Sequence, residues 1–332
     1  MSISLADISI HITRAILPII IIIGILGNSF NIGVLSRQRL YKHTCSRYFL
    51  AVAINNLFFT GIILIYRLLV NEYQYDLSNN STISCRIISY ITTLSSFISP
   101  YLLILASIDR FCASSSNVHI RTFSCIRTSQ WMIFIIIAIF SIFFINILIL
   151  FDIQPTKGFI CALQANTLYA QIYIFTQVFL YAAIPPCLMV LFGFMTIRNT
   201  SRSRTVQVVS SRYNRTEQQL ARMVLFQVGV YVLLTLPTSN FYLISALPNT
   251  ISTTTMFLFL SKIFQLLFYC SYSSPFFLYL LSGRIYRQEL IQLLRKIFQV
   301  CFNNRVAPTL ESNMNAPIQT AIHPHQEVNF ID

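Results

Sequence analysis

Charge is scarce in this sequence. Asp, Glu, Lys and Arg make up 10% of its 332 residues, against 55% that are hydrophobic. A soluble domain carries about a quarter charged residues, so this chain has too little polar surface to dissolve. Acidic groups are the scarcer sign, 10 against 23 Lys and Arg. None of them falls in the middle of a long apolar stretch. The five histidines (His11, His43, His119, His323, His325) read as lying outside such stretches as well. Chemistry within a membrane generally draws on these groups, so an intramembrane enzyme is disfavoured, and neither a metal nor a cofactor is expected. No internal repeat is visible, which argues against a transporter built from duplicated halves.

What remains is apolar and continuous. Seven stretches lack Asp, Glu, Lys and Arg altogether: 15–36, 48–66, 87–108, 128–151, 158–197, 223–261 and 263–283. About 20 apolar residues cross a hydrocarbon core of about 30 Å. Each stretch therefore accommodates a spanning helix, and the two longest, with turn residues at Gly158 and at Leu247-Pro248-Asn249-Thr250, add part of a loop. The expected fold class is an all-α membrane protein, a seven-helix bundle. Helices are expected over about 14–36, 47–70, 84–112, 129–151, 168–198, 217–246 and 254–281. Weakly alternating ten-residue segments, the mark of a barrel, are absent.

Of the 23 basic residues, 18 fall on one side of this arrangement, among them Arg37, Arg39, Arg121, Arg127, Arg198 and Arg222. The other side holds Arg14, Arg67, Arg86, Lys157 and Lys262. Basic loops stay in the cytoplasm, so the N-terminus is expected outside and the C-terminus inside, at the plasma membrane. The net charge of +13 is thus a topology charge, and no nucleic-acid partner is expected. Residues 1–13 read as a short outer tail and 14–300 as the membrane domain. After Ser282-Gly283, residues 284–300 alternate Ile285, Leu290, Leu293 and Leu294 with Arg284, Arg287, Arg295 and Lys296. This is the pattern of an amphipathic helix lying on membrane lipids. Residues 301–332 are polar and expected to be disordered cytoplasmic tail.

Cys85 and Arg110 stand 25 residues apart, or about 37 Å along a helix, close to the thickness of the membrane. Cys85 therefore sits at the outer mouth and Asp109-Arg110-Phe111 at the inner end of one helix. Cys161 falls in the outer loop between the fourth and fifth spans, in an oxidising compartment. The other six cysteines fall in membrane or cytoplasm. A Cys85–Cys161 disulfide is expected, pinning that loop to the third helix.

These features, in order, resemble the rhodopsin-like (class A) G-protein-coupled receptors over about residues 15–300. Gly27-Asn28 resembles the family's Gly-Asn in the first helix. Val52-Ala53-Ile54-Asn55-Asn56-Leu57 resembles its Leu-Ala-x-x-Asp-Leu, with Asn56 in place of Asp. Asp109-Arg110-Phe111 resembles Asp-Arg-Tyr. Trp131, Pro185 or Pro186, and Pro237 fall where the fourth, fifth and sixth helices carry these residues. Pro275 and Tyr279 resemble the end of Asn-Pro-x-x-Tyr. The pattern is most similar to invertebrate neuropeptide-receptor-like members.

The departures carry information. With Asn56 for the acid, Ser99 retained and no helix-seven asparagine, the family's sodium ion is not expected to bind. Leu234-Thr235-Leu236-Pro237 lacks the aromatic toggle, and Pro275 stands one residue too far from Tyr279. Thr235 and the displaced proline leave a chemosensory or coupling-deficient seven-helix receptor as the alternative, and a polytopic transporter as a second.

The resemblance implies an extracellular ligand, expected to be a peptide, and a heterotrimeric G protein as partners. Arg110 needs a counter-charge where it is partly out of water. Glu217 lies about 30 Å before Pro237, at the inner end of the sixth helix, so an Arg110–Glu217 clamp would hold the resting state. A kink at Pro237 supplies the hinge for opening helices three and six. Glu217 could equally cap its helix start. The ligand site is expected among Thr92, Ser96, Asn240, Tyr242, Gln265 and Tyr269. Thr92 stands where amine receptors carry Asp, and Lys262 lies too near the outer end to hold retinal. Glu72, Asp76 and Asp152 on the outer side could meet a basic peptide. Asn79 and Asn80 head overlapping glycosylation sequons, and Cys301 is a candidate for palmitoylation.

Overall fold

Among the residues described, seven helices are long and apolar enough to cross a membrane: Asp7–Leu35, Thr44–Val70, Thr82–Ser114, Ile126–Leu150, Val178–Thr200, Gln218–Ile244 and Thr255–Ser273. They are numbered one to seven here. The computed structural model describes residues 5–73, 75, 81–154, 160–163, 172–173, 175–176, 178–203, 212–246 and 254–303. Residues Met1–Ile291 form one unit holding all seven helices. Gln292–Asp332 form a second unit, and its described residues lie on the helix Arg284–Asn303.

The helices follow the uncharged stretches, with differences at their ends. Helix one begins at Leu5, not near Arg14. Asp7 in its first turn suits the helix dipole, and Thr13 Oγ1 donates to the Ser9 carbonyl at 2.9 Å. His11 thus lies on the first span, exposed, rather than outside it. Helix six begins at Arg212, ahead of the expected start. Helix four is interrupted between Ile126–Phe143 and Ile147–Leu150. Helix seven breaks at Ser274, where Pro275 starts a new segment, Pro275–Ser282. Proline has no N–H to continue a helix but is at home at its first position.

Two helices carry a wider turn. Helix two passes through a π-turn at Phe59–Ile63 between Thr44–Phe58 and Leu64–Tyr73, and helix five starts with one at Val178–Ala183. In π register Pro185 would have to donate to the Leu180 carbonyl and cannot. Tyr101 of helix three fills that place, donating its hydroxyl at 2.8 Å.

Large apolar side chains cover the outside as well as the inside. Ile135, Ile139, Ile142 and Ile149 of helix four are exposed, as is Trp131. Such a surface fits lipid as solvent. Inside, Phe59 stacks on Tyr272 at 3.9 Å between ring centres. Phe97 packs on Phe140 and Phe144. Helix one meets helices two and seven at Gly24, where Asn28 Nδ2 donates to the Gly24 and Tyr272 carbonyls. A Cβ on Gly24 would stand 2.6 Å from Thr60 Cγ2. Gly24→Ala is expected to destabilise the bundle by about 1–3 kcal/mol, read as a lower melting temperature of the purified protein. Adding Thr60→Ser, which removes that methyl, should restore part of the loss; no loss in the single variant would contradict this packing.

The chain after helix four forms a small hairpin. Strand β1 (Phe151–Gln154) pairs antiparallel with β2 (Ile160–Leu163), setting Ile153 opposite Cys161.

Candidate functional site

The two ends of helix three differ in chemistry. At one end, Cys85 and Cys161 are bonded, with Cα atoms 5.5 Å apart, so strand β2 is tied to helix three. Arg86 Nε donates to the Phe151 carbonyl at 3.0 Å, and Thr82 donates to Asp152 at 3.0 Å. The Ile153 backbone N–H and the Thr82 hydroxyl hold the Asp152 carboxyl below its ordinary range. Glu72 is buried, and desolvation pushes its carboxyl up while Lys262 and Arg14 pull it down. Arg14 donates to the Glu72 carbonyl and lies over the Tyr73 ring at 5.4 Å. Asp152 is thus already engaged within the protein, which weakens its reading as a landing site for a basic peptide, whereas Glu72 Oε2 is buried without a hydrogen-bond partner. Asp76 lies outside the described residues, with Asn79 and Asn80.

Of the expected ligand residues, Tyr242 and Tyr269 come together around Arg67. Tyr269 is buried with its hydroxyl against the Arg67 side chain, and Thr92 Oγ1 is buried without a hydrogen-bond partner. Tyr242 and Tyr269 both lie within electrostatic reach of Arg67 on helix two. Ser96 turns back onto its own helix, donating to the Thr92 carbonyl at 2.8 Å. Gln265 is half-buried and Asn240 exposed, and the described contacts join neither to the cluster.

Mid-bundle, the groups are neutral. Ser99 Oγ donates to Asn56 Oδ1 at 2.6 Å, and Asn55 Nδ2 donates to Ser99 Oγ at 2.7 Å. A small cavity runs from Asn56 and Ser99 to Gln227 and Tyr231. Its lining holds amides and hydroxyls but no carboxylate, a poor match to a bare cation. Among the described residues no cluster of His, Cys, Asp or Glu could hold a metal.

At the other end, Asp109 and Arg110 are buried together. Arg110 donates to Asp109 Oδ2 through Nη2 and, at 3.0 Å, through Nε, and Ser124 donates to Asp109 Oδ1 at 2.7 Å. Phe111 is half-buried against Phe192 of helix five. Glu217 lies on helix six, but its side chain, and so the clamp on Arg110, falls outside the described residues. Cys301, on the last helix, has its side chain outside them too. Pro237 sits inside helix six. The Tyr279 hydroxyl, fully buried, donates to Gln227 Oε1 of helix six at 2.5 Å. The backbone N–H of Ile285 donates to Gln219 Oε1 at 3.1 Å, and Tyr286 donates to Asn31 at 2.6 Å. Helix six is thereby fastened to helix seven and to the start of the last helix.

Gln219, Gln227, Arg67 and Glu289 were not among the sequence candidates. Glu289, buried, meets Arg37 at 2.8 Å and Arg39 at 3.3 Å. Their spacing in the chain carries no local signal, since Arg37 and Glu289 are 252 residues apart. Both arginines reach solvent, so screening reduces the pair. Glu289→Gln should still lower stability by about 1–2 kcal/mol by leaving two cations against a neutral group. Thermal unfolding would show it, and a melting temperature unchanged from wild type would contradict it.

A model of the seven-transmembrane receptors of the rhodopsin family matches residues 27–277. No individual curated protein matches the chain.

Proposed function

Since the chain belongs to the rhodopsin family of seven-transmembrane receptors, we propose that it binds an extracellular ligand at the disulfide end and activates a heterotrimeric G protein at the Arg110 end. The observation that carries this reading is the closed Arg110 end. Arg110 is paired with Asp109, and helix six is held by Gln227–Tyr279 and Gln219–Ile285. Release of these bonds lets helix six swing about Pro237 and opens a groove for a partner helix. The Arg110–Glu217 clamp would add to the closed state. On this account Glu217→Ala raises ligand-free signalling at equal surface expression, and an unchanged basal signal removes the clamp from the scheme.

The ligand is a peptide on this reading. It would enter beside the two-stranded hairpin, at a mouth pinned by the disulfide. The receptor resides in the plasma membrane, N-terminus outside and C-terminus in the cytoplasm. Residues 14–300 belong to its membrane domain, into which helix one reaches back as far as Asp7. Asn79 or Asn80 carries glycan, Cys301 carries palmitate, and 301–332 is a cytoplasmic tail. The test is nucleotide exchange on purified heterotrimeric G proteins of each class by the protein in lipid nanodiscs. Exchange above the rate of empty nanodiscs supports the reading. No exchange with any class, even by a variant with the Gln227–Tyr279 bond removed, overturns it in favour of a coupling-deficient receptor.

A further inference from the structure

Helix two places a cation inside the bundle, and among the described residues no carboxylate stands within its electrostatic reach. Arg67 stands eleven residues beyond Asn56, about 16 Å toward the disulfide end. It is half-buried and its Nε is wholly so, without a hydrogen-bond partner. The titratable groups within its electrostatic reach are Tyr269 of helix seven, Tyr242 of helix six and Tyr181 of helix five. None is a carboxylate. Glu72, one turn and a half further along, belongs with Lys262 and Arg14.

Other polar atoms at this level share the condition. The hydroxyls of Tyr269, Tyr181 and Thr92 are buried and, among the described residues, meet no carboxylate; Tyr269 lies against Arg67 and Tyr181 against Tyr272. The floor beneath them is aromatic: Phe268 packs edge-on against Tyr181 and Tyr272, and Phe59 lies against Tyr269. An isolated guanidinium among apolar rings is costly to hold. Guanidinium groups only donate hydrogen bonds, and phenol and threonine hydroxyls can donate too. Helices two, five, six and seven thus bring Arg67 together with phenol hydroxyls and no carboxylate.

Resting on the receptor reading of this end of the bundle, we propose that Arg67, with Tyr269, Tyr181 and Thr92, forms the subsite for a carboxylate on the ligand. The planar fork of Arg67 meets a carboxylate through two parallel bonds. One cation balances one negative charge, which favours a carboxylate over a phosphate dianion in so apolar a setting. The phenol and threonine hydroxyls supply further bonds to the carboxylate oxygens. A protonated amine would find no acceptor of opposite charge here and would face the guanidinium directly. The carboxylate is either the free C-terminus of a peptide or the acid group of a small molecule.

The test uses the full-length protein in lipid nanodiscs and reads its melting temperature, which needs no G protein. Probes are acetate, 3-phenylpropionate and a tripeptide ending in phenylalanine with a free C-terminus, each beside its amide, plus phenyl phosphate. The acids should raise the melting temperature of the wild type and the amides should not. Arg67→Gln should weaken the acids about 100-fold, the loss expected for a bidentate charged contact. The same variant without any probe should melt higher than wild type, because it removes an uncompensated buried charge. Response to the tripeptide acid alone assigns a peptide terminus, and response to phenylpropionate equal to it assigns a small acid. A lower melting temperature for unliganded Arg67→Gln would mean a structural partner for Arg67 and overturn the proposal. So would phenyl phosphate outperforming the acids, or no acid stabilising the wild type. G-protein exchange by the Gln227→Leu variant with no acid effect would sink this subsite and leave the receptor reading intact. Acid stabilisation without exchange would do the reverse.

Discussion

Cys85→Ser is expected to remove nearly all functional protein from the cell surface. The Cys85–Cys161 bond closes a loop across a sequence separation of 76 residues. In the chain-entropy account a loop of this length contributes on the order of 4–5 kcal/mol. That is an upper bound here, because spanning helices already restrict the unfolded chain in the membrane. The local consequence is as large. Without the bond, β2 loses its covalent tie to helix three, and the hairpin keeps only contacts such as Arg86 to the Phe151 carbonyl. The bond and the Arg86 contact hold the hairpin at the Cys85 end of helix three. Surface staining of a tagged Cys85→Ser variant should fall to a small fraction of wild type, and Cys161→Ser should match it. The double variant should be no worse than either, since both remove one bond. Wild-type surface levels in the single variants would show that the bond contributes little.

Breaking the Gln227–Tyr279 bond is expected to raise ligand-free signalling about tenfold. The Tyr279 hydroxyl and Gln227 Oε1 meet at 2.5 Å in a fully buried place, with Phe49 and Tyr286 packed on the tyrosine ring. Gln227 lies ten residues before Pro237, so the bond acts about 15 Å from the hinge, where a small rotation of helix six separates its partners. Gln227→Leu or Tyr279→Phe leaves one buried polar group without its mate, which costs the closed state about 1–3 kcal/mol. A shift of 1.4 kcal/mol is tenfold in an equilibrium. A receptor resting with about 1% of molecules open would then hold about 10% open. Basal G-protein activation at matched surface expression measures this. The two substitutions together should exceed either alone by little, because they remove one interaction. Basal activity unchanged in both single variants would mean that this bond is not part of the closed state.

The bundle was legible because the bilayer demands long uncharged runs, and seven of them stand in the chain. The same habit of reading charges as boundaries hid Arg67. It terminates the run 48–66 and was counted with the outer-side charges, although the expected helix 47–70 already held it and the observed one continues to Tyr73. The start of helix one was missed for the same reason at Arg14. The hairpin had no sequence signal, since four-residue strands are too short to show a period of two. The disulfide followed from helix length and compartment. Gln219 and Gln227 were invisible because a neutral amide carries neither charge nor hydrophobic periodicity, and their worth depends on partners far along the chain. Tyr242, Tyr269 and Thr92 were put forward from the resemblance, which fixes positions on helices. Asn240 came from the same reasoning; it is exposed, as Tyr242 is, and no described contact joins it to Arg67.

Everything assigned to the two ends of the bundle depends on their facing different compartments. Epitope tags at both termini, stained in intact and then in permeabilised cells, test this most directly. The N-terminal tag should stain in intact cells and the C-terminal tag only after permeabilisation. Both tags staining on one side would give an even number of crossings and contradict the account.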